Sequence, residues 1–572
     1  MKRNYSQLLL IVAAMLFLGC NHASSDDETA FEFRGIYLPE ALGDGARRLG
    51  LNTLDDWGIW GHNLTKVLPA NPSRTVFATI EGRSTTEQFC FSSDQLYKYI
   101  EDYIVDNFGE NRAKRFSIMP LDNTISCLCQ QCVAKGCTTN DASPAVFAMI
   151  ERLARRFPSH YFFTSYYLTT RSLPRTPLPS NAGVLYSSIR YDLCANATPR
   201  EEETTDFLRQ WAEKTSLIYV WDYIDNFDDY FTPFPVFSIM QRRLRLYREA
   251  GVRGVFLNGS GEDYSTFSQL RTRVLAALMR DPDSDWEQVL KQESAELFPI
   301  AGTVISDFMI SQEKFVVDKG LKLPLYEGVP VALKSYLDKE AFVRFYDELA
   351  RLLPRTQGDE KCEVQKMYQA MALTRLEIMR IEGEPDGCQP LLSQLEQLSD
   401  NNVRTYSETY WNVGSYSSEY KSMMNDYQAS KGSNRLHGLK LTALTKLDDD
   451  YQDLSILTDG LAGLPSNYHC GHLISTANPH LRIAIPPQPG AKRLRVGLTS
   501  NPQFHIGLPS RVYLNSGGRE IASAKPTVTT GLPQRVVVDL DIPSGTDGSI
   551  ILTVVRNPDE KSMAIDEIQV FR

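Results

Sequence analysis

The sequence lacks, beyond its first 18 residues, any apolar run long enough to cross a bilayer as a helix, which takes about 20 residues. That excludes a bundle of membrane helices. It has no basic excess: 60 Lys and Arg against 70 Asp and Glu leave −10 at pH 7, which removes the broad positive surface that nucleic acid needs. No glycine-rich phosphate turn follows the first apolar run, which argues against a dinucleotide-binding open sheet. What is present is apolar and aromatic. The hydrophobic fraction is 42%, with 27 Tyr and 26 Phe, a composition of packed cores rather than disorder. A chain of 572 residues exceeds one core, so two or three domains are expected. Aromatic faces suit sugar rings and protein interiors alike.

The first residues point to export. Lys2 and Arg3 precede an apolar run, Leu8–Leu18, that fits the core of a signal peptide. It ends in Leu16-Phe17-Leu18-Gly19-Cys20, which resembles the bacterial lipobox. The resemblance implies cleavage before Cys20, lipidation of that residue and a membrane anchor. The acidic stretch Ser24-Ser25-Asp26-Asp27-Glu28 resembles the surface-export signal of Bacteroidota lipoproteins. An outer-membrane lipoprotein is expected, on the cell surface or the periplasmic face. Residues 1–19 are assigned to the signal peptide and 20–30 to a tether.

From Phe31 to about residue 300 one unit recurs: an apolar run, then a helical stretch. The runs are Phe31–Leu38, Leu51–Trp60, Thr75–Ile80, Arg115–Leu121, Tyr161–Leu168, Gly183–Arg190, Leu217–Asp222 and Gly254–Asn258. Their spacing averages about 30 residues, the size of a βα unit, and runs without alternation suit strands buried on both faces. Helical stretches fall at Ser92–Asn107, Ala145–Phe157, Glu201–Lys214 and Phe237–Ala250. The pattern predicts a (β/α)₈ barrel over 31–300, with a doubly wound sheet as the rival. Residues 301–435 read as a helical support region, including Glu340–Leu353 and Glu363–Glu382, with Cys362 and Cys388 candidates for a disulfide. Residues 436–572 carry short strands at β-sandwich spacing. Their opening, Leu457-Thr458-Asp459-Gly460, resembles the start of discoidin-like jelly rolls.

Barrel active sites gather at the C-terminal ends of the strands. Those ends supply Trp60 and His62, Asp122 and Asn123, Tyr166, Trp221, Asp222 and Tyr223, then Asn258, Glu262 and Asp263. Carboxylates, aromatics and amides around one mouth are what glycoside cleavage requires: an acid for the leaving oxygen, a second carboxylate and flat platforms for rings. Each has a structural alternative. Asp222 and Glu262 serve equally well as helix caps or loop residues, and the tryptophans as rim packing. Four cysteines, Cys127, Cys129, Cys132 and Cys137, fall within eleven residues, with Cys90 and Cys194 at neighbouring strand ends. Their role is structural, and the spacing fits a closed zinc site or disulfides. No other cofactor is expected.

Trp57-Gly58-Ile59-Trp60-Gly61-His62, Gln88-Phe89-Cys90-Phe91-Ser92, Asp122-Asn123 with the following cysteines, Trp221-Asp222-Tyr223, Pro233-Phe234-Pro235 and Gly251-Val252-Arg253-Gly254-Val255-Phe256 together resemble the domain of unknown function 4838. That domain is similar to glycoside hydrolase family 163. The resemblance implies a retaining endo-β-N-acetylglucosaminidase acting on complex N-glycans, with the substrate's own 2-acetamido oxygen as nucleophile. Asp122 then orients that group and Glu262 is the acid; His62 and Tyr223 bind hydroxyls while Trp60 and Trp221 stack on rings. The family commonly places a carboxylate directly after the Val-Phe pair, where this chain has Leu257-Asn258. A glycan-binding lipoprotein that kept the barrel without activity is therefore the competing reading. The expected partners are a glycan or glycoprotein, the membrane through the lipid, and an outer-membrane glycan importer.

Overall fold

The computed structural model describes residues 29–191, 193–528 and 530–572. The signal peptide and Cys20 lie outside the described residues.

Seven strands form one parallel sheet: β1 (Phe33–Tyr37), β2 (Trp57–Ile59), β3 (Arg115–Ser117), β4 (Tyr161–Tyr166), β5 (Ala182–Ser187), β6 (Ile218–Tyr223) and β7 (Gly254–Asn258). Their order is β1-β7-β6-β5-β4-β3-β2. From β7 to β2 each neighbour is the preceding strand in the chain, and β1 lies beside the last strand, β7; that is the order of a sheet that curls round, not of a doubly wound one.

The sheet curls on itself. Phe33 on β1 and Trp57 on β2 occupy its two outermost strands, yet their rings meet edge to face with centroids 5.8 Å apart. Both also pack on Tyr219 of β6, at 5.3 and 6.3 Å. With Phe163, Leu185 and Phe256 these rings fill the interior as a buried cluster of their own. Among the described residues no ladder joins β1 to β2. The seam is crossed just before β2, where Asn52 donates its backbone N–H to Arg34 O and its Oδ1 accepts from Arg34 N–H, both at 2.8 Å.

The expected third strand is not in this sheet, so the parallel array has seven strands rather than eight. Phe77–Ile80 instead pairs antiparallel with Arg83–Phe89. The turn between them is Glu81-Gly82, with φ of 47° and 76°. Two consecutive positive φ values are the geometry of a tight hairpin turn, not of a βα connection.

Helices flank the strands where the sequence places them: α1 (Asp94–Phe108), α2 (Ser143–Arg156), α3 (Pro199–Ala212) and α4 (Phe237–Glu249). Ser93 Oγ caps α1 by accepting from Leu96 N–H, and Thr198 caps α3 with Pro199 in its first turn. Beyond residue 300 the chain is helical, with long members Gly302–Lys319, Lys339–Leu352, Gly358–Ile381 and Val413–Ser430. No disulfide joins Cys362 to Cys388; Cys362 is exposed and Cys388 buried. Two antiparallel sheets of five and four strands follow and share one apolar cluster. No helix among the described residues is long and apolar enough to cross a membrane.

Candidate active site

A cavity of about 240 Å³ opens at the C-terminal ends of the parallel strands. Strand alternation decides which side chains reach it. Ser165 of β4, Leu185 and Ser187 of β5, Trp221 and Tyr223 of β6 and Asn258 of β7 all line it. Residues one step out of phase face the helices. His62, Met119, Asp122, Tyr167 and Ile189 come from the strand-to-helix loops, and Tyr326 and Glu408 from the helical region.

Asp122 is exposed, and its loop is held from both sides. Buried Gln88, at the end of the hairpin, accepts from Leu121 N–H at 2.9 Å and donates to Leu121 O and Asn123 Oδ1 at 3.1 and 3.0 Å. Asn123 also donates to Glu87 O at 2.7 Å and accepts from Ile125 N–H at 2.9 Å. His62 Nδ1 lies 2.6 Å from Pro120 O, so the neutral ring carries its proton there and leaves Nε2 as an acceptor.

Glu408 reaches the same mouth from far along the chain. Its segment lies on the buried loop after β6: Glu408 N–H donates to Phe227 O at 2.7 Å, and Tyr230 N–H to Tyr406 O at 2.8 Å. Thr405 Oγ1 anchors it to Asp263 Oδ1 at 2.7 Å. Glu408 stays open to solvent as a residue. Even so, the surrounding protein strips enough water from its carboxyl to push the pKa above the usual carboxylate value, and the charges of Asp228 and Asp122 push the same way. A hydrogen bond from Tyr326 Oη, 3.3 Å from Oε2, opposes the shift. Burial likewise raises the phenols of Tyr167 and Tyr223. Both are therefore neutral hydroxyls able to donate and accept.

Of the residues the sequence nominates, Asp122, His62, Trp221, Tyr223 and Asn258 line the cavity together. Six others do not line it. Asp222 is fully buried and faces α4, where its carboxylate pairs with Arg243 at 2.8 Å and accepts from Ser188 Oγ and Tyr247 Oη at 2.5 and 2.6 Å. Tyr166 faces outward onto Tyr186 and Phe207, with centroids 5.3 and 4.7 Å away. Asn123 spends its amide on the loop. Asp263 holds Thr405. Glu262 is exposed on the rim beside Tyr37, whose phenol is raised by burial and then by the Glu262 charge. Trp60 lies behind the lining, stacked on Trp221 at 5.0 Å and 14°. Sequence reasoning missed Glu408, Tyr326 and Gln88.

Cys90, Cys127, Cys129 and Cys132 converge beside the Asp122 loop, with sulfurs within 4.8 Å of one another. Cys137 and Cys194 are outside that group. Cys194 sits on a short ladder with Lys322.

Residues 63–309 match the family described as Domain of unknown function (DUF4838). No curated protein matches the chain. Among solved structures, a family GH115 4-O-methyl-alpha-glucuronidase, BtGH115A, with specificity for decorated arabinogalactans, is similar at 10% identity over 88% of this chain and 70% of that one, with a TM-score of 0.37. A GH138 enzyme targeting pectin rhamnogalacturonan II is similar at 8% identity over 71% and 84%, with a TM-score of 0.28. The family 32 CBM from C. perfringens NanJ, in complex with galactose, is similar at 13% identity over 24% of this chain and 99% of that one, with a TM-score of 0.17. Likenesses this low settle neither fold nor chemistry.

Proposed function

We propose that this chain, with a DUF4838 domain at residues 63–309, is a surface glycoside hydrolase cutting complex N-glycans as a retaining endo-β-N-acetylglucosaminidase. One observation carries the reading: Asp122 and Glu408 line a single cavity together with hydroxyls, an imidazole, an amide, the Trp221 indole and the apolar side chains Met119, Leu185 and Ile189. That is the equipment for splitting an acetal.

In the first step the 2-acetamido oxygen of the sugar attacks its own anomeric carbon as the glycosidic C–O bond breaks. Glu408 is the acid, and its proton goes to the departing oxygen. Asp122 accepts the acetamido N–H and balances the positive charge that builds on the ring it forms. In the second step Glu408, now a carboxylate, takes a proton from water, which attacks the anomeric carbon and reopens the ring. Glu408 takes the acid role rather than Glu262 because it lines the cavity and because its raised pKa keeps it protonated at higher pH. Trp221 is the ring platform. Tyr167, Tyr223 and His62 take the sugar hydroxyls.

The lipid anchor holds the enzyme at the outer membrane, where an importer takes up its product. The two C-terminal sheets form a β-sandwich of discoidin type.

Incubation with a complex-type N-glycoprotein and mass analysis of both products is the test. The reading predicts released oligosaccharide with one N-acetylglucosamine left on the protein, abolished by Glu408→Gln and by Asp122→Ala. The competing reading, glycan binding without cleavage, is favoured by Asn258, which lines the cavity from the end of β7 where the family commonly has a carboxylate. Retention of glycoprotein with no release establishes it instead.

A further inference from the structure

We infer that Cys90, Cys127, Cys129 and Cys132 form a closed structural zinc site that fastens the Asp122 loop to the neighbouring hairpin. All four sulfurs lie within 4.8 Å of one another. Cys90 Sγ is 3.6 Å from that of Cys129 and 3.8 Å from that of Cys132. Disulfide sulfurs stand about 2.05 Å apart. Four thiolates set tetrahedrally around zinc at about 2.3 Å stand about 3.8 Å apart. The two Cys90 separations match the metal geometry, and the remaining sulfurs lie within 4.8 Å of one another.

The donors come from two chain segments. Cys90 follows the hairpin strand Arg83–Phe89, while Cys127, Cys129 and Cys132 follow Asp122 and lead into the short helix Gln130–Lys135. Cys90, Cys127 and Cys132 are buried at 5, 4 and 1% exposure. A set of four sulfurs with no carboxylate or imidazole suits a soft tetrahedral ion and leaves no open position for catalysis.

The surroundings fit thiolates. Thr79 N–H donates to Cys127 Sγ at 3.3 Å, and Ser92 Oγ lies 3.1 Å from Cys132 Sγ. The Thr79 donor spreads the negative charge of a metal-bound sulfur, and Ser92 Oγ, which accepts from the Cys132 thiol, can turn to donate once that thiol loses its proton. Binding a divalent ion displaces four thiol protons to solvent and leaves a centre of net charge −2. Cys137 lies outside the set of four; its thiol borders that of Cys132 and is directed at Ala142 O, 3.7 Å away.

The site also has a mechanical role. Leu128 N–H donates to Thr79 O at 2.8 Å, and Gln88 grips the residues on either side of Asp122. With the ion in place, the loop is held to the hairpin at both ends, and Asp122 is carried between them.

Elemental analysis of the purified protein tests the proposal without reference to activity. It predicts about one zinc ion per chain, with four thiols that react with a thiol reagent only after a chelator is added. Cys129→Ser and Cys132→Ser lose the zinc, while Cys137→Ser and Cys362→Ser retain it. Cobalt(II) exchanged into the wild-type protein gives a thiolate charge-transfer band, which keeps the test decisive if the ligand variants fail to fold. Bound iron in place of zinc, disulfides among these cysteines in a peptide map, or four thiols reactive without chelator overturn it.

Discussion

Tyr326 donates a hydrogen bond to Glu408 Oε2 at 3.3 Å, and the same carboxylate faces the charges of Asp228 and Asp122. These contacts set the alkaline limit of the reaction. An acid works only while protonated, so kcat/KM falls as pH rises through the pKa of Glu408. The Tyr326 bond favours the charged form. Tyr326→Phe therefore raises that pKa and moves the alkaline limb to higher pH. Asp228→Asn removes a repelling charge and moves it lower. Rate profiles of the two variants check both signs, and a shift of either in the opposite sense removes Glu408 from the acid role.

Asp222 contributes stability rather than sugar binding. Asp222→Ala removes the carboxylate 2.8 Å from the buried Arg243 guanidinium, which keeps Tyr191 O at 3.3 Å and Glu201 at 3.8 Å, and leaves Tyr247 and Ser188 without this acceptor. Loss of one member of a buried pair costs about 3–5 kcal/mol. Urea unfolding should show a loss of that size, while KM, measured well below the melting temperature, stays at the wild-type value.

The adjacent tyrosines at the end of β4 separate in the same way. Tyr166→Ala empties a stack on Tyr186 and Phe207 and should destabilise by about 3 kcal/mol. Tyr167→Ala removes a cavity wall and should raise KM with a smaller change in melting temperature.

How far the sequence reveals this molecule differs by element. The parallel strands are legible because burial on both faces leaves continuous apolar runs at βα spacing. Phe77–Ile80 has such a run too, and only the Glu81-Gly82 turn and the polar strand Arg83–Phe89 after it mark a hairpin. Asp122, Trp221 and Tyr223 are legible because the C-terminal ends of the strands converge in a curled parallel sheet. Asp222 and Tyr166 mislead because one step along a strand exchanges the cavity for the helix layer. Glu408 is not legible at all. It lies in the helical region, and tertiary bonds bring it to the mouth: its own N–H to Phe227 O, Tyr230 N–H to Tyr406 O and Thr405 Oγ1 to Asp263. The one local sign is the cluster of Tyr406, Tyr410 and Trp411 around it, which is unusual for a connection between helices.

Asp459, in the motif that opens the C-terminal region, is half-buried, and the surrounding protein strips enough water from its carboxyl to raise its pKa to about 7. The folded state thus holds this proton more tightly than the unfolded chain, whose value is near 3.8. The associated stability is complete below the unfolded value and is lost as pH rises through the folded one, amounting to at most about 4 kcal/mol. Glu567, pushed up first by burial and then by the Asp459 charge, acts in the same direction. Asp459→Asn should therefore melt higher than wild type at pH 8 by a margin that shrinks at pH 5. A margin independent of pH contradicts the assignment.

The account turns on which glutamate is the acid. Initial rates of glycan release by Glu408→Gln and Glu262→Gln, measured side by side, test that most directly. Loss of general-acid catalysis costs about 10²–10⁴-fold. The account predicts a loss of that order in Glu408→Gln and a near wild-type rate in Glu262→Gln. The reverse order contradicts it.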